Sequence, residues 1–159
     1  MFVLNYRHVD EICSLLIKRQ LPEPLNIWAY ARVDTIKSDE QLTKLRAAGF
    51  RWLALGIESG SKHVRDGAEK RLKTDDIVGA VRRVQSHGIN VIGNFIVGLP
   101  DDTEETVEET YKLACGLNCE FINVYSAMAY PGSALYAEFP LDRSSDWRTY
   151  SQHNKYSHP

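Results

Sequence analysis

Phe50–Ser61 reads FRWLALGIESGS: a nearly continuous apolar run, then a carboxylate, then small residues. A run of this length, rich in branched and aromatic residues, is a strand. Its apolar continuity suits a strand with helices on both faces, or one in the wall of a barrel. Gly49, just before it, is a C-terminal stop for a helix. That helix opens at Ser38, which pairs with Gln41 as a capping box, and runs through Leu42, Leu45 and Arg46.

The same alternation extends outward. Upstream, LNIWAYARV (Leu25–Val33) reads as a strand. Before it, Asn5 caps a helix over about His8–Arg19, with Ile12, Leu15, Leu16 and Arg19 on one face and Leu21–Pro22 as its end. Downstream, Thr74 caps a helix over Asp75–His87, closed by Gly88. Strands follow at INVIGNFIVG (Ile89–Gly98) and EFINVYSAM (Glu120–Met128). Between them, Asp102 with Glu105 forms a capping box for a helix to about Leu117, and a short helix begins near Ser133. Alternating strands and helices imply an α/β fold with a parallel sheet. The expected architecture is an incomplete (β/α) partial barrel of about four parallel strands and four to five helices, over residues 1–140. Both ends of the chain read as cut. The polar tail, residues 141–159, reads as extended or partly disordered. A doubly wound sheet is the alternative.

Bulk properties narrow the function. The 159 residues are 43% hydrophobic and 25% charged, with 19 Lys and Arg against 21 Asp and Glu, for a net charge of −2. That balance carries no electrostatic footprint for nucleic acid or an anionic membrane. No apolar run approaches the roughly 18 residues that span a bilayer, and the N-terminus lacks a signal-peptide pattern. The default location is cytoplasmic. Cys13, Cys115 and Cys119 are an odd set without a secretion signal, and read as free thiols. The five histidines are scattered without metal spacing.

In parallel strand–helix folds, ligands bind at the carboxyl ends of strands. Those ends carry Arg32-Val33-Asp34, Gly56-Ile57-Glu58-Ser59-Gly60-Ser61, Gly98-Leu99-Pro100-Asp101-Asp102 and Ala129-Tyr130-Pro131-Gly132-Ser133. Glu58 ends an apolar strand among small residues that let a ligand approach the backbone. Its carboxylate suits a ribose diol or an amino group, or else caps a turn or pairs with a lysine. Arg32 suits a ligand carboxylate, or an ion pair with Asp34 or Glu58. Asn94 points into a barrel lumen or to a backbone carbonyl. Tyr130-Pro131-Gly132-Ser133 is a turn signal, and could also form a wall for an adenine ring.

Taken in order, GIESGS, VIGNFIVGLPDDTEETVEET and NVYSAMAYPGSALY resemble the later half of a radical S-adenosylmethionine (SAM) enzyme. The resemblance covers Met1 to about Tyr136, and is to the subgroup that often carries an N-terminal cobalamin-binding domain. It implies strands three to six of a six-stranded partial barrel. It also implies contacts to SAM from Glu58 with Ser59 and Gly60 beside it, after Gly56. The stretch Gly93–Gly98, with Asn94 and Gly98, would line the adenine side. The backbone of Ser126–Met128, with Ala127 and Met128, would bond adenine, and Arg32 would face substrate or the SAM carboxylate. The family needs CxxxCxxC for a four-iron–four-sulfur cluster. Here Cys115 and Cys119 give CxxxC, but Ile122 stands where the third cysteine belongs, at a helix end.

The expected function is thus a fragment supplying the SAM-cradling strand ends. The intact parent would cleave SAM reductively or transfer its methyl group to a small-molecule substrate. It would use the cluster and, in this subgroup, cobalamin. This chain alone would be inactive and would hold none of these cofactors tightly. Two alternatives remain: a non-catalytic barrel module that associates through an exposed sheet edge, and a complete nucleotide- or phosphate-binding α/β domain.

Overall fold

The structure is a computed structural model that describes residues 2–68 and 72–138. The tail expected over residues 141–159 lies outside the described residues. The elements run α1 (Tyr6–Arg19), β1 (Ile27–Arg32), α2 (Asp39–Ala47), β2 (Phe50–Glu58), α3 (Lys62–Gly67), α4 (Thr74–Ser86), β3 (Asn90–Val97), α5 (Glu104–Leu117), β4 (Phe121–Ser126) and α6 (Ala134–Glu138). Each strand expected from sequence is present, shorter or longer by one or two residues. The six-residue α3 was not expected, because it is too short to show a period.

All strand pairs are parallel, in the order β1-β2-β3-β4. A doubly wound sheet reverses its order near the middle, and this sheet does not. Right-handed connections between consecutive parallel strands bring each crossover helix to the same side. The sheet is therefore singly wound, as in a barrel wall.

Side-chain parity follows from this layout. Leu53, Leu55 and Ile57 of β2, with Val91 and Phe95 of β3, are fully buried. They pack with Leu42 and Leu45 of α2, Ile77, Val81 and Val84 of α4, and Ala114 and Leu117 of α5. A small residue at Gly93 is required on this side, since a Cβ there would meet the Phe95 ring at 3.1 Å and Cys119 Sγ at 3.3 Å. The alternate positions face the other way. Trp28 and Tyr30 of β1 sit there, 54% and 48% exposed, edge to face at 4.9 Å.

Local chemistry sets the helix starts. Asn5 accepts from the His8 N–H at 3.2 Å, and Ser38 from the Gln41 N–H at 3.2 Å, as the sequence implied. Two other starts are corrected. The α5 cap is Thr103, whose hydroxyl accepts from Thr106 N–H while Thr106 Oγ1 accepts from Thr103 N–H. Asp102 is used elsewhere. The α4 cap position is Lys73, and Thr74 is already helical. The Thr74 hydroxyl accepts instead from the buried Arg65, at 3.0 Å.

Truncating Leu55 to Ala should cost about 2–5 kcal/mol, the range for a buried leucine. Leu15→Ala, at an exposed helix position, should stay within about 0.5 kcal/mol. Urea unfolding followed by circular dichroism reads both; equal losses would contradict the burial pattern.

Candidate functional site

The loop after β2 is built from backbone turns and buried hydroxyls. Glu58 has φ of 69°, in the left-handed region that non-glycine residues avoid at a cost of about 1–2 kcal/mol. The Ser59 N–H bonds to the Ile57 carbonyl at 3.0 Å, closing a tight three-residue turn around Glu58. Register also shifts here: Gly56 pairs with Asn94 and Glu58 with Phe95, leaving Ile57 as the extra residue of a bulge. A strained residue beside a bulge at a strand end marks a functional site.

Two braces hold that turn. Arg65 of α3 is fully buried. Its Nη1 donates to the carbonyls of Ser59 and Gly60, each at 2.8 Å. Its Nε donates to Leu72 O at 3.2 Å, and Nη2 to Thr74 Oγ1. The second brace is Thr110 of α5. Its hydroxyl contacts Ser59 Oγ at 3.0 Å and accepts from Gly60 N–H at 2.8 Å. Ser59 is fully buried, and its Oγ also accepts from Ser61 N–H at 3.1 Å. A Cβ at Gly60 would fall against the backbone of Glu109 and Thr110, 2.5 Å from Thr110 Cα. Glycine at 60 thus has a packing reason: it lets the loop lie on α5.

The other strand ends carry their own locks. Arg32 donates from Nε and Nη2 to the two carboxylate oxygens of Asp34, each at 2.8 Å. Of the partners open to it on sequence, the structure selects Asp34. The pair is largely exposed, so it is worth at most about 1 kcal/mol, and the guanidinium can exchange partners readily. After β3, Asp102 accepts from the N–H groups of Gly98 and Leu99, at 2.8 and 3.0 Å. After β4, the Ala127 N–H donates to Val97 O at 2.7 Å, and Met128 O accepts from Tyr130 N–H at 3.0 Å. Tyr130–Ser133 closes a turn with Gly132 at φ 87°, the form its Pro-Gly pair favours.

Register aligns part of the candidate set in one row. Arg32 pairs with Gly56, Gly56 with Asn94, and Asn94 with Asn123. These positions share the side that the crossover helices leave open. Asn94 therefore faces the open side, not the helices. Ala127 and Met128 are buried just beyond the end of β4. Sequence reasoning did not single out Arg65, Thr110, Asp102 or Asn123. Only Asn123 left a usable trace: a polar residue in an apolar strand, at the parity Asn94 occupies.

The cysteines form no shared site. Cys13 is buried on α1, Cys115 is exposed on α5, and Cys119 is half-buried beyond it. Among the described residues, no three His, Cys, Asp or Glu side chains could hold a metal ion. Burial, aided by Glu120, pushes the Cys119 thiol up to about 11, and burial also raises Cys13. The described residues contain no helix long and apolar enough to cross a membrane.

A radical SAM superfamily model matches residues 3–114. An uncharacterised methyltransferase of Pyrococcus horikoshii is 32% identical over 157 residues, covering 94% of this chain and 33% of that protein. An anaerobic magnesium-protoporphyrin IX monomethyl ester cyclase of Rubrivivax gelatinosus is 35% identical over 130 residues, covering 80% of this chain and 23% of that protein. The chain thus spans about a third or less of these relatives. In fold, it resembles coproporphyrinogen III oxidase of Escherichia coli, a radical SAM enzyme (TM-score 0.69, 22% identity, 80% of this chain and 30% of that one). It also resembles the radical SAM methyltransferase TsrM of Kitasatospora setae with cobalamin and an iron–sulfur cluster bound (TM-score 0.68, 20% identity, 79% and 24%).

Gly60→Ala should destabilise the chain by about 2 kcal/mol or more, because backbone must move. Gly79→Ala, inside α4 with nothing within 4 Å of the new methyl group, should stabilise it by up to about 1 kcal/mol. Thermal unfolding of both variants checks the loop–helix contact. The thiols give a second check. At pH 8 a thiolate-selective reagent should label Cys115 first and Cys119 slowly, read by mass spectrometry. A thiol pKa raised by folding stabilises at lower pH, so the Cys119 contribution should fade as pH rises from the ordinary thiol range through about 11.

Proposed function

Because this chain belongs to the radical SAM superfamily, we propose that its strand ends form the wall that cradles SAM in a longer enzyme. The observation that carries this reading is Glu58, held at a left-handed φ in a turn braced by Arg65 and Thr110. Strain maintained by so many bonds is the mark of a preorganised contact. Glu58 would accept from the ribose diol or the ammonium of SAM. Arg32 would trade Asp34 for the SAM carboxylate or for substrate. Gly56, Asn94 and Gly98 would line the adenine side. Near Ala127 and Met128, adenine would meet backbone groups other than the Ala127 N–H, which the sheet uses. Ser59 and Gly60 serve this site through the loop they shape rather than through a free side chain.

The donor set suits an amino acid joined to a nucleoside: a carboxylate, a guanidinium and strand-end backbone. It does not suit an iron–sulfur cluster, since the three cysteines lie apart in character and place. No electron-transfer step is therefore assigned to these residues. In this reading the cluster ligands come from outside the 159 residues, and the substrate is a small molecule. A cobalamin partner accords with the structural neighbours that hold it. The protein's own contribution is positioning and exclusion of water.

Calorimetric titration of SAM into the 159-residue chain should show weak binding. Glu58→Gln should weaken it about tenfold, as for one charged hydrogen bond lost. Under strong reductant the chain should release no 5′-deoxyadenosine. Robust cleavage would overturn the inactivity of the chain alone. Unchanged binding by Glu58→Gln would overturn the role of that carboxylate.

A further inference from the structure

Asn94 is only 7% exposed, yet it lies on the side of the sheet without crossover helices. Its Oδ1 accepts from Nδ2 of Asn123 on the neighbouring strand, at 2.9 Å. Among the described residues, no partner meets Asn94 Nδ2 or Asn123 Oδ1. Buried amides are normally satisfied on both sides. The oxygen and nitrogen of each amide are assigned from this bond, but turning both over only exchanges their roles. Either way the pair presents one N–H donor and one carbonyl acceptor, side by side.

The surroundings favour a planar guest. Gly56, the neighbour of Asn94 on β2, has no side chain, and Ala54 and Ile92 supply apolar surface one step lower on the same side. The pair carries no charge. It also lies three residues before Val97 and Ser126, where β3 and β4 end. At about 3.3 Å per residue that is roughly 10 Å below the loop level of Glu58.

We infer that Asn94 and Asn123 together form a binding element for a neutral, planar amide-type edge, an N–H beside a C=O as in a lactam or imide. That edge belongs to the molecule that meets SAM, not to SAM itself. The assignment to that molecule rests on the reading of the strand ends as the SAM wall; the donor–acceptor pairing rests only on the sheet. Depth separates the two ligands: the cofactor meets the loops, and the second molecule reaches into the open face. Asn123 is the specificity-determining residue here, since its bond orients Asn94.

The test uses the full chain and the side-chain amide signals of Asn94 and Asn123 in nitrogen–proton spectra. The probes are uracil, which carries the edge, and 1,3-dimethyluracil, which has no N–H. Uracil should shift both amides saturably, with dimethyluracil about tenfold weaker, because a site that pairs an N–H rejects the analogue lacking it. Asn123→Leu should abolish the uracil response. This comparison of probes on the unaltered chain stands even if that variant does not fold. No uracil response, or an equal response to both probes, overturns the inference. So does a shift of these amides by SAM alone. SAM, titrated separately, should perturb Glu58–Gly60 with or without Asn123. Failure there, with uracil still bound, sinks the cofactor reading and leaves the amide pair standing.

Discussion

Parallel pairing in unbroken chain order is the constraint from which the rest of the structure follows. Each crossover has the same hand, so each helix returns to the same side. One side of the sheet must therefore be apolar and tightly filled. Leu53, Leu55, Ile57, Val91 and Phe95 meet that demand, each fully removed from water. The other side is released from it. There the strands can carry Arg32, Asn94 and Asn123, which would be costly among the helices. Division of the chain into a packing side and a chemical side is thus a result of topology and the two-residue period of a strand.

The loop after β2 shows how a strained geometry is kept. The left-handed φ of Glu58 is unfavourable by itself. Hydrogen bonds from Arg65 and Thr110 fix the carbonyls and N–H groups on its C-terminal side. Ile57, bulged and buried, fixes it on the other. Gly60 permits the approach of α5 that brings Thr110 within reach. Removing any one of these members loosens the others, because they share atoms: Ser59 Oγ and Thr110 Oγ1 each take part in more than one contact.

Much of the architecture was legible in the sequence because its signals are local. Apolar runs marked all four strands, and Asn5 and Ser38 marked helix starts by their caps. Pro131-Gly132 marked its turn. The less legible features depend on neighbours far along the chain. Thr74 looks like a cap, but Arg65 claims its hydroxyl. Asp102 looks like a cap, but the turn at Gly98 and Leu99 claims its carboxylate. Gly60 looks like room for a ligand, and α5 supplies a separate need for glycine there. Asn94 was readable as a polar residue that needs a partner. That its partner is Asn123 depends on register, which no single strand displays.

Arg65 has one more consequence. Its acceptors are neutral oxygens: three backbone carbonyls and a threonine hydroxyl. Burial lowers its basicity, but from a value so high that the guanidinium stays charged. No carboxylate need be ionised for these bonds to persist, and water and ions do not reach them. Exposed pairs such as Arg7 with Glu11 weaken as salt is added or carboxylates are protonated. The turn at Glu58 is anchored by contacts that ionic strength barely touches, so its shape is decoupled from the ionic medium around the protein.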